Sequence, residues 1–332
     1  MSANAASSTG RAPSGADGNV GKTDFVSRFA AFGAGLWQAD SPAAPPVRPL
    51  EDSVAEGRVS LADITPPPLP EAYLALRRKA RDPMSSAADI AAVLSMDPSL
   101  AAYVLRLANS PLYSPASKVA TVSRAVTVIG LGEIETMAAG AMLSRLFDAP
   151  PRPDLLRPED FWRHAVAVGL LARALAERVG ERGGERYFVA GLLHDMGRLV
   201  LAVAEPDLAG AALRRASARN LPLDAAERLE LGFDHAALGG RIAAKWLLPE
   251  VLFQAVAAHH EPGQCPDNLL AAAVHVANFM ANALGVRPRP AIGLPRLDVR
   301  VLPVFNLVDA TPDEFQVILE QGLDAMTALV GP

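Results

Sequence analysis

The chain holds a single cysteine, Cys265, among 332 residues. One thiol excludes an internal disulfide and any zinc site built from CxxC pairs, and it fits a reducing compartment. Positive charge is not in excess either, since 31 Lys and Arg against 36 Asp and Glu give a net charge of -5 and a pI near 5.7. That balance offers no electrostatic footprint for nucleic acid or for an anionic membrane. No uninterrupted apolar run is expected to reach the roughly 18 to 20 residues that span a bilayer. The start, MSANAASSTG, lacks the basic and apolar regions of a secretory signal. The expectation is a cytoplasmic protein with no nucleic-acid or membrane partner. What the chain does have is 50% hydrophobic and 20% charged residues, the balance of a globular protein with a large core.

Residues 1–60 form an expected disordered tail rich in Pro and Ala, because so few large apolar side chains cannot offset the entropy of ordering. Within it Phe25, Phe29, Phe32 and Leu36 recur at helical spacing, which predicts a short amphipathic helix over 23–37. That helix either docks on the body or meets a partner. From residue 61 nearly every segment carries a helical period with punctuation at its ends. The spacing predicts helices over 71–81, 86–96, 98–108, 122–129 and 132–147. Past Pro150, Pro151 and Pro153 it predicts further helices over 158–180, 187–194, 199–204, 235–247, 249–260, 271–284 and 312–329. We expect an all-α body over 61–332 in two helical lobes, 61–149 and 150–285, followed by an extension over 286–332 that opens with a proline-rich crossing.

The residues with the most chemical content are His194 and Asp195, in the run Ala190-Gly191-Leu192-Leu193-His194-Asp195-Met196-Gly197-Arg198. An adjacent imidazole and carboxylate can grip one metal ion if the backbone breaks there, because consecutive helical residues point about 100° apart. Gly197 permits such a break. His164 precedes the pair, and His235 and His259-His260 follow it, so five of the six histidines join one potential constellation with Asp195. His164 falls on the inward stripe of its helix, beside Phe161, Ala165, Val168, Leu171 and Leu175. These donors suit Fe, Mn, Zn or Ni, and a two-metal version could hold a phosphate and activate water against it. The alternative is a polar seam of the core, in which each histidine satisfies hydrogen bonds and Asp195 orients His194. Asn109 and Ser110, before Pro111, pose a similar choice between capping a helix end and contacting a ligand.

His164 followed by His194-Asp195 in a GLLHDMG setting resembles the HD superfamily of metal-dependent phosphohydrolases. More of the chain is similar to the HDOD family, the HD-related output domains of bacterial signalling proteins. The similarity lies in Asp97-Pro98-Ser99-Leu100, in the run from Leu105 to Tyr113, and in the run from Ala125 to Leu131. It continues in Leu231-Gly232-Phe233-Asp234-His235, Gly239, Trp246-Leu247-Leu248-Pro249 and His259-His260. Covering about residues 63–285, this resemblance implies an all-α HDOD fold and an output role exercised through signalling protein partners. It also implies a divalent metal (Fe, Mn, Zn or Ni) as the cofactor such a site would take. The candidate ligands are then His164, His194, Asp195, His235, His259 and His260, with no catalytic residue assigned.

The competing reading is an active HD phosphohydrolase or phosphodiesterase acting on a nucleotide or cyclic nucleotide, with Asp195 and Arg198 carrying the chemistry and Arg198 steadying phosphate. Two departures count against it. Where HD phosphohydrolases complete the metal set with a late Asp, this chain offers Asn278, a neutral and weaker ligand. The HD-GYP cyclic dinucleotide phosphodiesterases carry a Gly-Tyr-Pro run after the paired histidines, where this chain reads Glu261-Pro262-Gly263-Gln264, and Arg198 replaces the Lys of their HDIGK-type motif. A purely structural scaffold is the third reading.

Overall fold

The computed structural model describes residues 60–330, apart from 63, 65–70, 110–112, 114, 116, 132, 133, 135–151, 182, 289–292, 308 and 309. Nearly all of the expected tail over 1–60, with its helix at 23–37, and nearly all of the expected helix over 132–147 lie outside the described residues. Among the described residues there are α-helices and short 3-10 turns but no strand. The helices are α1 (Glu71–Ala80), α2 (Ala87–Ser95), α3 (Pro98–Ala108), α4 (Val122–Ile129), α5 (Pro158–Arg178), α6 (Gly184–Leu193) and α7 (Met196–Ala204). They continue as α8 (Pro206–Arg219), α9 (Leu223–Leu231), α10 (His235–Lys245), α11 (Glu250–Ala258), α12 (Leu269–Ala283) and α13 (Pro312–Val330). The 3-10 turns are Pro262–Gln264 and Val299–Phe305.

Local chemistry explains most of the ends. Ser86 and Asp89 form a capping box on α2, Ser86 N donating to Asp89 Oδ2 at 2.9 Å while Asp89 N donates to Ser86 Oγ at 3.2 Å. Pro158 opens α5 with Glu159 and Asp160 in its first turn, where carboxylates favour the positive end of the helix dipole. Asn109 acts as a tie between segments: its Nδ2 donates to the Leu105 and Val119 carbonyls, both at 2.8 Å, and its Oδ1 accepts from Val119 N at 2.7 Å. Every polar group of that side chain except one lone pair is thereby spent on pinning the approach to α4.

Two elements differ from expectation. The stretch 206–231, for which the spacing named no helix, holds α8 and α9, one ended by Asn220 and the other by Gly232, both left-handed. Helix α7 begins at Met196, directly after the break, and not at 199. The apolar-run expectation also needs correction: counted through the break, Gly184–Ala204 is 21 residues, long and apolar enough to cross a membrane by length and composition. His194 and Asp195 interrupt the run, which is why a count of consecutive apolar residues splits it. In the fold, 83% of its apolar 18-residue window is buried against protein.

The core is two adjoining hydrophobic clusters that meet on α5. Phe161, Ala165 and Val166 join the first, which runs from Tyr73, Leu76, Leu94 and Val126 to Leu199, Trp246 and Val256. Val168, Leu171 and Leu175 join the second, with Tyr187, Val274, Phe279, Phe305 and Phe315. Helix α6 can lie against α5 because glycines meet, a Cβ on Gly191 falling 2.6 Å from Gly169 Cα. This close approach carries the end of α6, and with it His194, deep into the protein.

Candidate metal centre

Helix ends assemble the site. His194 keeps helical dihedrals (φ -55°, ψ -40°) as the C-cap of α6, whereas Asp195 leaves them (φ -94°, ψ 9°) before α7 begins. The break turns both side chains to one side, with His194 Nε2 3.4 Å from Asp195 Oδ1. Two residues on, Gly197 lets α7 lie on α10, because a Cβ there would strike the His235 carbonyl oxygen and lie 2.8 Å from Gly239 N. His235 starts α10 behind the N-cap Asp234, whose Oδ1 accepts from Ala237 N at 2.8 Å. His259 caps α11 and His260 follows it. His164 reaches in from the middle of α5 and is 1% exposed.

All six expected residues come together. Asp195 Oδ1 is 3.1 Å from His235 Nε2 and 3.7 Å from His259 Nε2. His260 Nε2 is 2.8 Å from His235 Nε2, and the His164 and His194 rings lie 5.3 Å apart at their centroids. The ligand atoms form two groups, His164 with His194 and Asp195, and His235 with His259 and His260, each within 4.8 Å internally.

The tautomers follow from the anchors. His164 Nδ1 contacts the Val286 carbonyl at 2.8 Å, and the Nδ1 atoms of His194 and His259 contact the Gly191 and Val256 carbonyls, each at 2.7 Å. A carbonyl only accepts, so each Nδ1 carries the proton; His194 and His259 then present bare Nε2 lone pairs, while His164 has a further hydrogen bond with the Asn278 side chain. His235 Nδ1 is held at 2.5 Å by the buried Glu227 carboxylate, which also accepts from His235 N at 2.8 Å. Such anchoring through the far nitrogen is how proteins fix metal-ligating imidazoles. His194 Nε2 and His259 Nε2 are fully buried without a hydrogen-bond partner among the described residues. Lone pairs aimed at a carboxylate repel it unless a cation lies between them, so the donor set fits a divalent ion with histidine-rich ligation.

Electrostatics agree. Burial pushes the Asp195 carboxyl up, but His194, Arg198 and His235 outweigh it and hold the group well below the usual carboxylate range. Burial pulls His235 down, yet Glu227 and Asp195 together push it up to about 10. Burial takes His259 down to about 4, with the charge of His235 adding to the effect, and it also lowers His164, His194 and His260. In the metal-free protein a proton on His235 thus supplies positive charge among the imidazoles. Its contribution to stability is complete below about pH 6.5, the unfolded value, and is lost as pH rises toward about 10. His259 acts in the opposite sense, since the unfolded chain takes up its proton first and stability falls as pH drops from 6.5 toward about 4. Urea unfolding of metal-free protein should therefore show maximal stability near about pH 6.5, the unfolded histidine value, with losses at pH 5 and pH 9. Loading a divalent ion should displace about one proton at neutral pH and abolish the alkaline loss. Calorimetry in buffers of different ionisation enthalpy reads that proton, and no release would remove His235 from the ligand set.

Two features depart from a hydrolytic metal pair. Arg198 Nη1 lies 2.9 Å from Asp195 Oδ2, so the second oxygen of the carboxylate is already engaged by a guanidinium. Asn278 does line the cavity beside His164, but its Oδ1 accepts from Asn282 Nδ2 at 2.8 Å. An amide oxygen shared in this way is a still weaker ligand than the sequence implied.

Sequence reasoning missed Glu227. It sits on α9, the helix that spacing did not predict, next in sequence to Arg228, whose guanidinium bonds both Asp224 and Asp234. A Glu-Arg pair in a polar helix gives no outward sign of burial, although Pro222 and Gly232 do mark the helix itself. Glu227→Gln keeps the shape and removes the charge that anchors His235, so metal affinity should fall about 10- to 100-fold, read by competition with a chromogenic chelator. His275, the sixth histidine, stands outside the cluster and is satisfied at both nitrogens, Nδ1 donating to the His259 carbonyl and Nε2 accepting from Asp298 N, each at 2.8 Å.

The model of the HDOD domain family matches residues 67–262, well over half of the chain. The chain belongs to the HDOD family. Among solved structures, this HDOD chain is 23% identical to a candidate signal transduction protein of Marinobacter aquaeolei, with a TM-score of 0.63 over 95% of this chain and 66% of that one. It is 24% identical to a candidate phosphohydrolase of Shewanella amazonensis, with a TM-score of 0.59 over 80% of this chain and 95% of that one. These likenesses establish the fold. An uncharacterized protein of Treponema pallidum is 26% identical over 203 residues, which are 60% of this chain and only 39% of that protein.

Proposed function

We propose that this HDOD chain is a cytoplasmic regulatory module that acts through contacts with signalling proteins, and that its histidine cluster holds a divalent transition metal as a structural or sensing centre. The observation that carries this reading is the way the donors are tied: the imidazoles of His194 and His259, fixed through Nδ1, present bare Nε2 atoms beside Asp195, whose other oxygen Arg198 already occupies. A resident metal would supply positive charge to that buried carboxylate and rigidity to the junction of α5, α6, α10 and α11. Hydrolysis by a metal pair asks for a carboxylate free to bridge two ions and for anionic ligands to offset their charge. Arg198 competes for the first, and Asn278 withholds the second. We divide the body at 61–149 and 150–285, with the metal in the second lobe and an extension beyond it, and assign it no nucleic-acid or membrane partner.

The test is elemental analysis of the purified chain, followed by phosphodiester and nucleotide hydrolysis assays with added Mn and Fe. Stoichiometric metal with no turnover is the expected outcome. Turnover that disappears in Asp195→Ala would overturn this reading in favour of a phosphohydrolase, and absence of any bound metal would leave a scaffold.

A further inference from the structure

A pocket partly open to solvent lies over the histidine cluster. Its floor carries His164, Asp195, His235 and His260, and its walls include Pro222, Pro288 and Pro295. Two guanidinium groups, Arg198 and Arg287, reach it from opposite parts of the chain. Arg198 is spent on Asp195, and the wall carboxylate of Asp224 is spent on Arg228. Arg287 is different. It is half-buried, and its Nε donates to the Asn282 carbonyl at 2.7 Å, but its two terminal nitrogens have no hydrogen bond and no carboxylate among the described residues. Burial pulls its pKa down. A guanidinium stripped of part of its water and left with two parallel donors facing a cavity is matched by a tetrahedral oxyanion, which accepts both.

We propose that Arg287 forms the anion grip of a receptor for a small phosphate monoester above the histidine cluster, and that this is the ligand input of the module. Pro222, Pro288 and Pro295 present a rigid apolar surface suited to the uncharged part of such a ligand. Arg287 lies beyond the residues that match the family model, so the site joins the shared domain to its C-terminal extension. The same peptide unit serves both sites: the Val286 carbonyl anchors His164, and the next residue is Arg287. Ligand and metal are therefore linked through one short segment, and each should strengthen the binding of the other. This deepens the regulatory reading by naming the ligand class, and the closing experiment separates the two.

The full chain is titrated calorimetrically with ribose 5-phosphate, with inorganic phosphate and with acetate at constant ionic strength, both metal-loaded and after chelation. The phosphate ester should bind more tightly than inorganic phosphate, acetate should not bind, and chelation should weaken the ester several-fold. Arg287→Gln should raise the Kd of the ester at least about tenfold, in line with loss of a charge-assisted pair. Arg287→Lys should restore part of the affinity, and Arg152→Gln, an exposed arginine paired with Asp154, should change nothing. Circular dichroism melts confirm that each variant is folded. If no phosphate compound binds to metal-loaded protein, or if Arg287→Gln leaves the Kd unchanged, the receptor is overturned while the metal reading stands. Hydrolysis of the ester during the titration would instead overturn the non-catalytic regulatory reading and leave the grip of Arg287 intact.

Discussion

Gly197→Ala should destabilise the protein by about 3 kcal/mol or more, at the upper end for overpacking, because the added carbon meets backbone and not a movable side chain. Its nearest neighbours are the His235 carbonyl oxygen and Gly239 N, both on α10, so relief requires α7 and α10 to separate. In a body of this size the loss corresponds to about 6–12 °C in Tm. The same separation pulls Asp195, two residues before Gly197, away from His235, now 3.1 Å distant. Metal content and melting temperature should fall together. Gly263→Ala is the matched control, since a Cβ there meets only Arg300 Nη2 at 3.7 Å and should leave both unchanged. A Gly197→Ala variant that melts like the parent would show that the two helices are not held at this distance.

Asp195→Asn should reduce metal affinity by more than the roughly 10- to 100-fold typical of losing a partner that merely orients a ligand. The side chain keeps its volume, so the packing of α6 and α7 is retained, but the one carboxylate that faces the Nε2 atoms of His194, His235 and His259 is gone. The variant has a second cost in metal-free protein. Arg198 loses the charge that balances it, while His235 keeps only Glu227, and a buried pair broken from one side costs about 3–5 kcal/mol. Elemental analysis reads the first effect and urea unfolding at neutral pH the second. An Asp195→Asn protein that still binds stoichiometric metal with unchanged affinity would place the ion elsewhere.

Much of this architecture was legible in the chain. The inward stripe around His164 and the expected break at His194-Asp195 both appear where the sequence put them. Helices α8 and α9 were not predicted, although Pro206, Asn220, Pro222 and Gly232 punctuate them, because their alanine-rich and charged faces give a weak apolar stripe. With α9 went Glu227, which anchors His235 from eight residues away. The choice at Asn109 was open in the sequence, and the packing of Val119 against it decided for a structural tie.

The sequence by itself determined that the protein is helical, where most helices start and stop, and which residue types could meet at a metal, because these depend on periods and caps a few residues long. Only the tertiary structure decided that Arg198 takes the second oxygen of Asp195, that Asn282 engages the amide of Asn278, and that the Val286 carbonyl, 122 residues from His164, fixes its tautomer. Those outcomes depend on the rotation and crossing of packed helices. The contacts of Gly169 with α6 and of Gly197 with α10 set that rotation across long separations, and no local pattern in the chain encodes it.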